Sequence, residues 1–151
     1  MKIVDVVAAV IFDNEGKILI AKRKKGKTLE NHWEFPGGKV ENNESETDCL
    51  KREMNEEFGI EINVSKYLIS SKHNYDNFTI NLKAYLAEYR NGNFQLREHS
   101  EIRWIKISDC SNYMFAPADI PINSKSPCSN TNTKCLNAPT LTTFHGYTNA
   151  I

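Results

Sequence analysis

The order of apolar and polar positions predicts strands on both sides of one long helix. Residues 4–12 are apolar and β-branched, and the "DNEG" that follows them is a turn signal. In residues 17–23, Ile18 and Ile20 fall on one face and Leu19 falls on the other. We therefore expect these two runs to pair as a β-hairpin.

Further strands are expected along the rest of the chain. "WEFPGG" predicts a short strand that ends at Pro36, and longer strands are predicted at residues 62–71, 78–89 and 102–107. "RNGN" has Asn-Gly at its centre, which is typical of a hairpin turn. A short second helix is expected to start near Ser108.

The predicted helix follows Ser45, which is a suitable N-cap, and it ends at Gly59, which permits a left-handed turn. Leu50, Met54 and Phe58 recur at helical spacing and predict a buried stripe. The acidic residues after Ser45 suit the positive end of the helix dipole.

The composition predicts one domain and a tail of different character. The chain has 151 residues, of which 40% are apolar. We assign residues 1–122 to the domain. Residues 123–151 are dominated by Ser, Thr and Asn without periodicity, and we expect a disordered or loosely packed tail there.

The charge balance and the cysteines limit the partners and the compartment. Lys+Arg equals Asp+Glu, so no overall field favours a nucleic acid polymer or a membrane as a partner. No apolar run has the length of a membrane span. The four cysteines lack zinc-site spacing, so we expect free thiols in a reducing cytoplasm.

Three carboxylates are crowded on one helix face. Glu53, Glu56 and Glu57 are three and four positions apart, where like charges repel. Either this face is simply solvated, or the carboxylates bind a divalent cation. Mg²⁺ and Mn²⁺ both prefer carboxylate oxygens and often bridge to phosphates.

The spacing around these carboxylates resembles the Nudix box, G-x5-E-x7-R-E-U-x-E-E-x-G-U, at every fixed position from Gly38 to Ile60. The resemblance implies a Nudix hydrolase with an α/β fold, in which a mixed β-sheet lies between helices (α/β/α). It also implies cleavage of a nucleoside diphosphate linked to another group, with Mg²⁺ or Mn²⁺ as the cofactor.

The resemblance assigns roles to box residues and their neighbours. Arg52 would orient the glutamates and Glu44 would support them. The other implied metal or catalytic positions are Gly37, Glu53, Glu56, Glu57 and Glu98. Glu101 competes with Glu98 for its role. The implied substrate contacts are Arg23, Phe35, Gly37, Gly38, Lys39, Phe78 and Asp119.

"WEFPGGK" and "PADIP" resemble the MutT-like branch of the family, and within it the CTP pyrophosphohydrolases. This implies hydrolysis of a nucleoside triphosphate to the monophosphate and pyrophosphate. Asp119 stands where MutT itself has Asn. An ionised Asp only accepts hydrogen bonds, which suits the N4 amino group of cytosine, whereas a buried, protonated Asp would admit purines again.

Two other functions compete with cytidine triphosphate hydrolysis. One is the removal of 8-oxo-dGTP from the nucleotide pool. The other is a Nudix-fold binding module without catalysis, which the complete set of box glutamates disfavours. We expect a monomer or a weak homodimer.

Overall fold

Seven strands form two sheets in the computed structural model, which describes residues 2–123 of the chain. The strands are β1 (Lys2–Ile11), β2 (Ile18–Arg23), β3 (Trp33–Glu34), β4 (Gly37–Lys39), β5 (Glu61–Asn74), β6 (Phe78–Asn91) and β7 (His99–Ile105). The helices are α1 (Glu46–Phe58) and α2 (Ile120–Asn123), with 3-10 helices at Ile107–Asn112 and Pro117–Asp119.

The first sheet is mixed and the second is antiparallel. The four-stranded sheet has the order β4-β1-β6-β5, and β1 and β6 run parallel in it. The three-stranded sheet has the order β3-β2-β7. The mixed sheet and the α/β class expected from the sequence are confirmed.

Both hairpins expected from turn signals are wrong. β1 and β2 belong to different sheets and meet only at an isolated bridge between Phe12 and Ile18. β6 and β7 are also in different sheets, and Gly92 (φ 100°) instead turns against the backbone of Gly59. The hairpin that does form joins β5 and β6, where Tyr75 N–H donates to Phe78 O at 2.8 Å.

Helix α1 has the predicted ends and the predicted buried face. The Ser45 hydroxyl accepts a hydrogen bond from the Asp48 N–H at 3.1 Å, and Gly59 ends the helix with φ 66°. Leu50, Met54 and Phe58 are fully buried, as expected. This packing keeps the acidic side chains of the helix away from the apolar core, and one of them, Glu57, lines the cleft described below.

Two apolar cores lie on opposite sides of the central strands. Along β1, Val7, Ala9 and Ile11 pack with α1, whereas Ala8 and Val10 pack with the segment that contains the 3-10 helices. Each aliphatic side chain buried in this way contributes about 1.5–3 kcal/mol. Because both faces of β1 are covered, the fold is layered as helix, sheet and helix.

The chain after β7 covers the second core. A 3-10 helix, rather than an α-helix, occupies the place where a short second helix was expected near Ser108. Ile122, in α2, is 1% exposed and belongs to the core. The tail predicted from residue 123 onwards lies, apart from Asn123, outside the described residues. No helix of residues 2–123 is both long and apolar enough to cross a membrane.

Candidate active site

Arg52 gathers three carboxylates on the exposed side of α1. Its guanidinium donates to Glu44 at 2.7 and 2.9 Å, to Glu53 at 2.9 Å and to Glu56 at 3.0 Å. The hydrogen bonds from Arg52 lower the pKa of Glu44 to about 2. Arg52, which was expected to orient the glutamates, therefore lies among them. Glu44 holds its guanidinium in place with two hydrogen bonds.

Glu53 is held between the helix and strand β4. Its side chain is 13% exposed, and burial raises its pKa despite the bond from Arg52. A side chain at Gly38 would overlap the Glu53 carboxylate. The glycine is thus needed for the position of this carboxylate. Gly37 and Gly38 lie in an extended strand, so a tight turn is not the reason for glycine here.

Glu57 is the carboxylate of the cluster that has an unsatisfied buried oxygen, although its side chain is 19% exposed. Its Oε2 is buried and has no hydrogen-bond partner. Burial, followed by the charges of Glu53 and Glu34, raises its pKa to about 8. A buried oxygen without a hydrogen-bond partner destabilises the folded protein unless a proton or a cation binds it.

The donor set fits a hard divalent cation. Glu53, Glu56 and Glu57 offer carboxylate oxygens, which Mg²⁺ and Mn²⁺ prefer. Within residues 2–123 no three acidic, histidine or cysteine side chains are already gathered as a preformed metal cage. Glu56 is turned to Arg52 and is 59% exposed, so it is free to change its rotamer. The unpartnered Oε2 of Glu57 is the observation that favours an ion at this place.

A cleft of about 340 Å³ opens beside these carboxylates, between the two sheets. Glu57 lies in its wall, so the acidic cluster and the cleft are continuous. All seven residues predicted to contact substrate line it: Arg23, Phe35, Gly37, Gly38, Lys39, Phe78 and Asp119. The remaining predicted residues, Arg52, Glu53, Glu56 and Glu98, are not among its lining residues.

Strand β4 forms one edge of this cleft. Gly37 pairs with Ala8 of β1, and a side chain at Gly37 would collide with the carbonyl of Val7. Lys39 has an exposed side chain, and its carbonyl accepts a hydrogen bond from Arg52 at 3.2 Å. Strand β4 therefore brings the Lys39 cation to the wall of the cleft, while Gly38 of the same strand lies against Glu53.

Asp119 lies in the wall of the cleft, next to Phe35. It is 7% exposed, and its Oδ1 accepts the Phe35 N–H at 2.9 Å. Burial and the charge of Glu34 raise its pKa well above the usual range. The expectation of an ionised Asp119 is thus opposed by its surroundings, which favour the neutral acid. A neutral acid donates through its hydroxyl and still accepts through its carbonyl.

The two aromatic residues predicted to contact substrate lie in different environments. Phe35 is 2% exposed and stacks on Phe115 at 5.5 Å, so it is mainly a core residue. Phe78 is half-buried and stacks on Tyr75 at 5.1 Å. Tyr75 also lines the cleft, and burial, with a smaller effect from Asp119, raises its pKa. The sequence analysis did not assign Tyr75 to this site.

A buried polar chain that the sequence analysis missed borders the cleft. Arg23 donates to Glu34 at 3.0 Å, and the other oxygen of Glu34 lies 2.8 Å from Nε2 of His99. His99 is 4% exposed. Glu34 stands in the "WEFPGG" segment opposite buried Trp33, and this alternation could have marked it as facing the other side. No comparable pattern in the sequence indicated that His99 would face this site.

Glu98 is placed near the cluster but is paired elsewhere. Its carboxylate forms an ion pair with Lys27, and it is about half exposed. Its charge contributes to the raised pKa of Glu57, so the two are close enough to interact. Glu101 instead binds Arg103 at 2.5 Å on strand β7. Of the two candidates, Glu98 lies nearer to the cluster.

Comparison with known proteins decides the family. A family model described as "NUDIX domain" matches residues 7–125, which include the whole acidic cluster. The chain belongs to the Nudix family. Its complete Nudix box forms β4, the loop after it and helix α1.

Several Nudix proteins cover most of the chain. The CTP pyrophosphohydrolase of Escherichia coli is 40% identical over 122 residues, which is 81% of this chain and 90% of that protein. An 8-oxo-dGTP diphosphatase of Buchnera aphidicola is 35% identical over 115 residues, 76% of this chain and 86% of that protein. The solution structure of the E. coli ORF135 protein has a TM-score of 0.72 at 38% identity, covering 83% of this chain and 89% of that one.

These relatives are consistent with the resemblance found in the sequence. The Nudix assignment, the MutT-like character and the α/β fold are confirmed. Nudix hydrolases use divalent metal ions and act on nucleotides, which agrees with the carboxylate cluster beside a cleft. The roles of the individual residues remain predictions.

Proposed function

We propose that this Nudix hydrolase converts CTP or dCTP, including modified or oxidised forms, to the monophosphate and pyrophosphate. The observation that carries the choice of base is Asp119, a buried carboxyl group in the wall of the cleft. The 40% identical E. coli protein named CTP pyrophosphohydrolase supports the same substrate class.

Asp119 suits cytosine in either protonation state. An ionised Asp119 accepts from the N4 amino group of the base. A neutral Asp119 accepts from N4 and also donates to N3, which gives two hydrogen bonds. Since burial favours the neutral acid, the second pairing is the one that the surroundings of Asp119 support.

The same neutral acid keeps an 8-oxo-dGTP diphosphatase activity as a second candidate. The hydroxyl of neutral Asp119 supplies the donor that an ionised carboxylate lacks, as the Asn of MutT does. Several curated relatives, among them the 35% identical Buchnera protein, are named for that activity. A non-catalytic regulator has no observation in its favour, because the box glutamates are complete.

The acidic cluster is proposed to hold Mg²⁺ or Mn²⁺ through Glu53, Glu56 and Glu57, with Glu98 and the Gly37 carbonyl as further ligands. A bound ion neutralises phosphate charge and lowers the pKa of water. Arg52 keeps Glu53 and Glu56 oriented by hydrogen bonds of 2.9 and 3.0 Å. Arg23 and Lys39 supply positive charge at the cleft for the triphosphate.

The triphosphate would lie with its base toward Asp119 and its phosphates toward Glu57, since both residues line one cleft. Phe78, with Tyr75 stacked on it, offers an aromatic surface for the base. We also propose that the protein acts in the cytoplasm as a monomer or weak homodimer.

A nucleotide panel tests the proposal. Purified protein with Mg²⁺ is offered CTP, dCTP, 5-methyl-dCTP, dGTP, 8-oxo-dGTP, ADP-ribose and diadenosine tetraphosphate, and the products are identified by chromatography. The highest kcat/KM is expected for a cytidine triphosphate. A preference for 8-oxo-dGTP would establish the second candidate instead, and a preference for ADP-ribose would reject both.

A further inference from the structure

Three polar side chains come together on one face of the three-stranded sheet. Glu34 of β3 pairs with Ala21 of β2, and His99 of β7 pairs with Arg23 of β2. Ala21 packs in the core under α1, and residues two apart share a face of a strand. Arg23, Glu34 and His99 therefore all face the side of the sheet on which α1 lies.

A β-bulge places His99 on this face. Lys22 pairs with Glu101, but Arg23 pairs with His99, so Ser100 is an extra residue on β7. In an unbroken ladder Ser100 would oppose Arg23, and His99 would point to the other face of the sheet. Bulges that redirect a side chain in this way are common beside active sites.

The ring of His99 is held firmly once it is there. It stacks on Phe58, at the end of α1, with ring centroids 5.1 Å apart and an interplanar angle of 13°. Its Nε2 lies 2.8 Å from Oε1 of Glu34. A carboxylate only accepts, so Nε2 is the donor. The stack and the hydrogen bond together fix both the plane of the ring and the position of Glu34.

Glu34, which His99 holds in place, in turn positions Arg23 in the wall of the cleft. While Oε1 accepts from His99, Oε2 accepts from Nη1 of Arg23 at 3.0 Å. Nε of Arg23 donates to the carbonyl of Thr28 at 2.6 Å, so the guanidinium is held from two sides. Its remaining donors are thus aimed from a fixed position in the wall of the cleft.

We propose that His99 is a positioning residue for nucleotide binding, which acts by holding Glu34 so that Glu34 holds Arg23. The proposal deepens the proposed function and depends on it for the identity of the nucleotide. The competing role for His99 is support of the metal cluster, because its Nδ1 lies 3.9 Å from Oε2 of Glu57.

Two His99 variants separate the hydrogen bond from the packing. His99→Phe keeps a ring that stacks on Phe58 but loses the donor to Glu34. His99→Gln keeps an amide N–H near the position of Nε2. We expect His99→Phe to raise KM for dCTP about 10-fold or more, as for a lost hydrogen bond to a charged group, with kcat within about threefold. His99→Gln should restore most of the wild-type KM.

A double-mutant cycle with Arg23→Ala tests the route. If His99 acts only through Arg23, then His99→Phe should raise KM no further in the Arg23→Ala background. The affinity for a non-hydrolysable methylene analogue of dCTP, measured by calorimetry, should follow the same pattern. The affinity for Mn²⁺ alone, measured by electron paramagnetic resonance, should be the same in wild type and His99→Phe.

Several results would overturn the inference. They are an unchanged KM in His99→Phe, equal impairment of the Phe and Gln variants, additive effects with Arg23→Ala, or a loss of Mn²⁺ affinity without a change in KM. If His99→Phe does not fold, Glu34→Gln tests the same link, because Gln replaces one of the two accepting oxygens with an NH₂ group and so leaves either His99 or Arg23 without its acceptor. An unchanged KM in Glu34→Gln would be equally contrary.

Failure of the proposed function is a separate result. A folded wild-type protein that ignores cytidine triphosphates but hydrolyses another nucleotide would reject the base assignment alone. The His99 variants are then compared by their KM and affinity for that nucleotide. A wild type that binds a nucleotide without hydrolysing it would reject the catalytic assignment, and the variants are compared by affinity.

Discussion

Glu57 joins the acidic cluster to the cleft, and its surroundings oppose its negative charge. Burial and the neighbouring carboxylates raise its pKa to about 8. In the folded, metal-free protein Glu57 therefore keeps its proton up to a pH at which the unfolded chain has lost it. Between pH about 4.5 and about 8 the folded state binds one more proton, so stability falls as pH rises.

Glu57→Gln removes this penalty. We expect the variant to lose most of its hydrolase activity, because the amide carries no charge for a cation. The melting temperature of the metal-free variant should change less between pH 5 and pH 8 than that of the wild type. Thermal unfolding in chelator at both pH values measures this effect.

Glu56→Gln is the matched control for the stability effect. Glu56 is 59% exposed, so the same change of side chain should reduce activity but leave the pH dependence of stability unaltered. Full activity in both variants would reject the metal site. Parallel pH curves for Glu57→Gln and the wild type would reject the buried, protonated Glu57.

Asp119→Asn tests base recognition in the cleft. The Phe35 N–H, which now donates to Oδ1 of Asp119, would hold the amide oxygen of Asn and turn its NH₂ toward the base. The NH₂ can donate to the O6 of a purine but cannot accept from the N4 amino group of cytosine. We expect the ratio of kcat/KM for dCTP to that for 8-oxo-dGTP to fall about 10-fold or more. An unchanged substrate ratio would mean that Asp119 does not contact the base.

Strand β4 and helix α1 act as one unit, because Gly38 and Glu53 pack against each other. Gly38→Ala would put a methyl group into the Glu53 carboxylate and force it away from its place. We expect a large loss of kcat with a smaller loss of stability. Steady-state kinetics and thermal unfolding of the same preparation separate the two effects.

Gly16→Ala is the control for that change. Gly16 has open space around it, although its φ of 76° makes a side chain cost about 1 kcal/mol. This variant should lose stability and keep its activity. If Gly38→Ala is no less active than Gly16→Ala, the position of Glu53 does not depend on Gly38.

At the level of elements, the sequence correctly predicted the features that depend on residues close together in the chain. The apolar stripe Leu50, Met54 and Phe58, with Ser45 and Gly59 as caps, was sufficient to place α1. The turn signals after β1 and β6 marked turns but not pairing partners. Strands buried on both faces need neighbours on both edges, and the sequence does not specify which strands those neighbours are.

The candidate site was predictable only where a motif has fixed spacing. The box gave Arg52, Glu44, Glu53, Glu56 and Glu57. Glu34 and His99 were missed because their meeting depends on the register of three strands and on the bulge at Ser100. The protonation preference of Asp119 was also beyond the sequence, since it depends on burial in the folded chain.

At the scale of the whole molecule, the last residues of the domain help to form the cleft and the core next to it. Asp119 lines the cleft and Ile122 fills the core beneath it. A chain that ends after Asn123 keeps both and should retain wild-type kcat/KM and melting temperature. A chain that ends after Ala118 lacks both and should lose stability and activity. A folded but inactive 1–123 protein would show that residues 124–151 help to build the site.

The central claim is that the carboxylates of α1 and the cleft beside them hydrolyse a nucleoside triphosphate with the help of a divalent ion. The most direct test is the rate at which purified wild type and Glu57→Gln convert dCTP, with Mg²⁺ and with chelator, with products identified by chromatography. We predict that only the wild type with Mg²⁺ will release dCMP and pyrophosphate at a substantial rate. Equal turnover by Glu57→Gln, turnover in chelator, or release of dCDP and phosphate would contradict the claim.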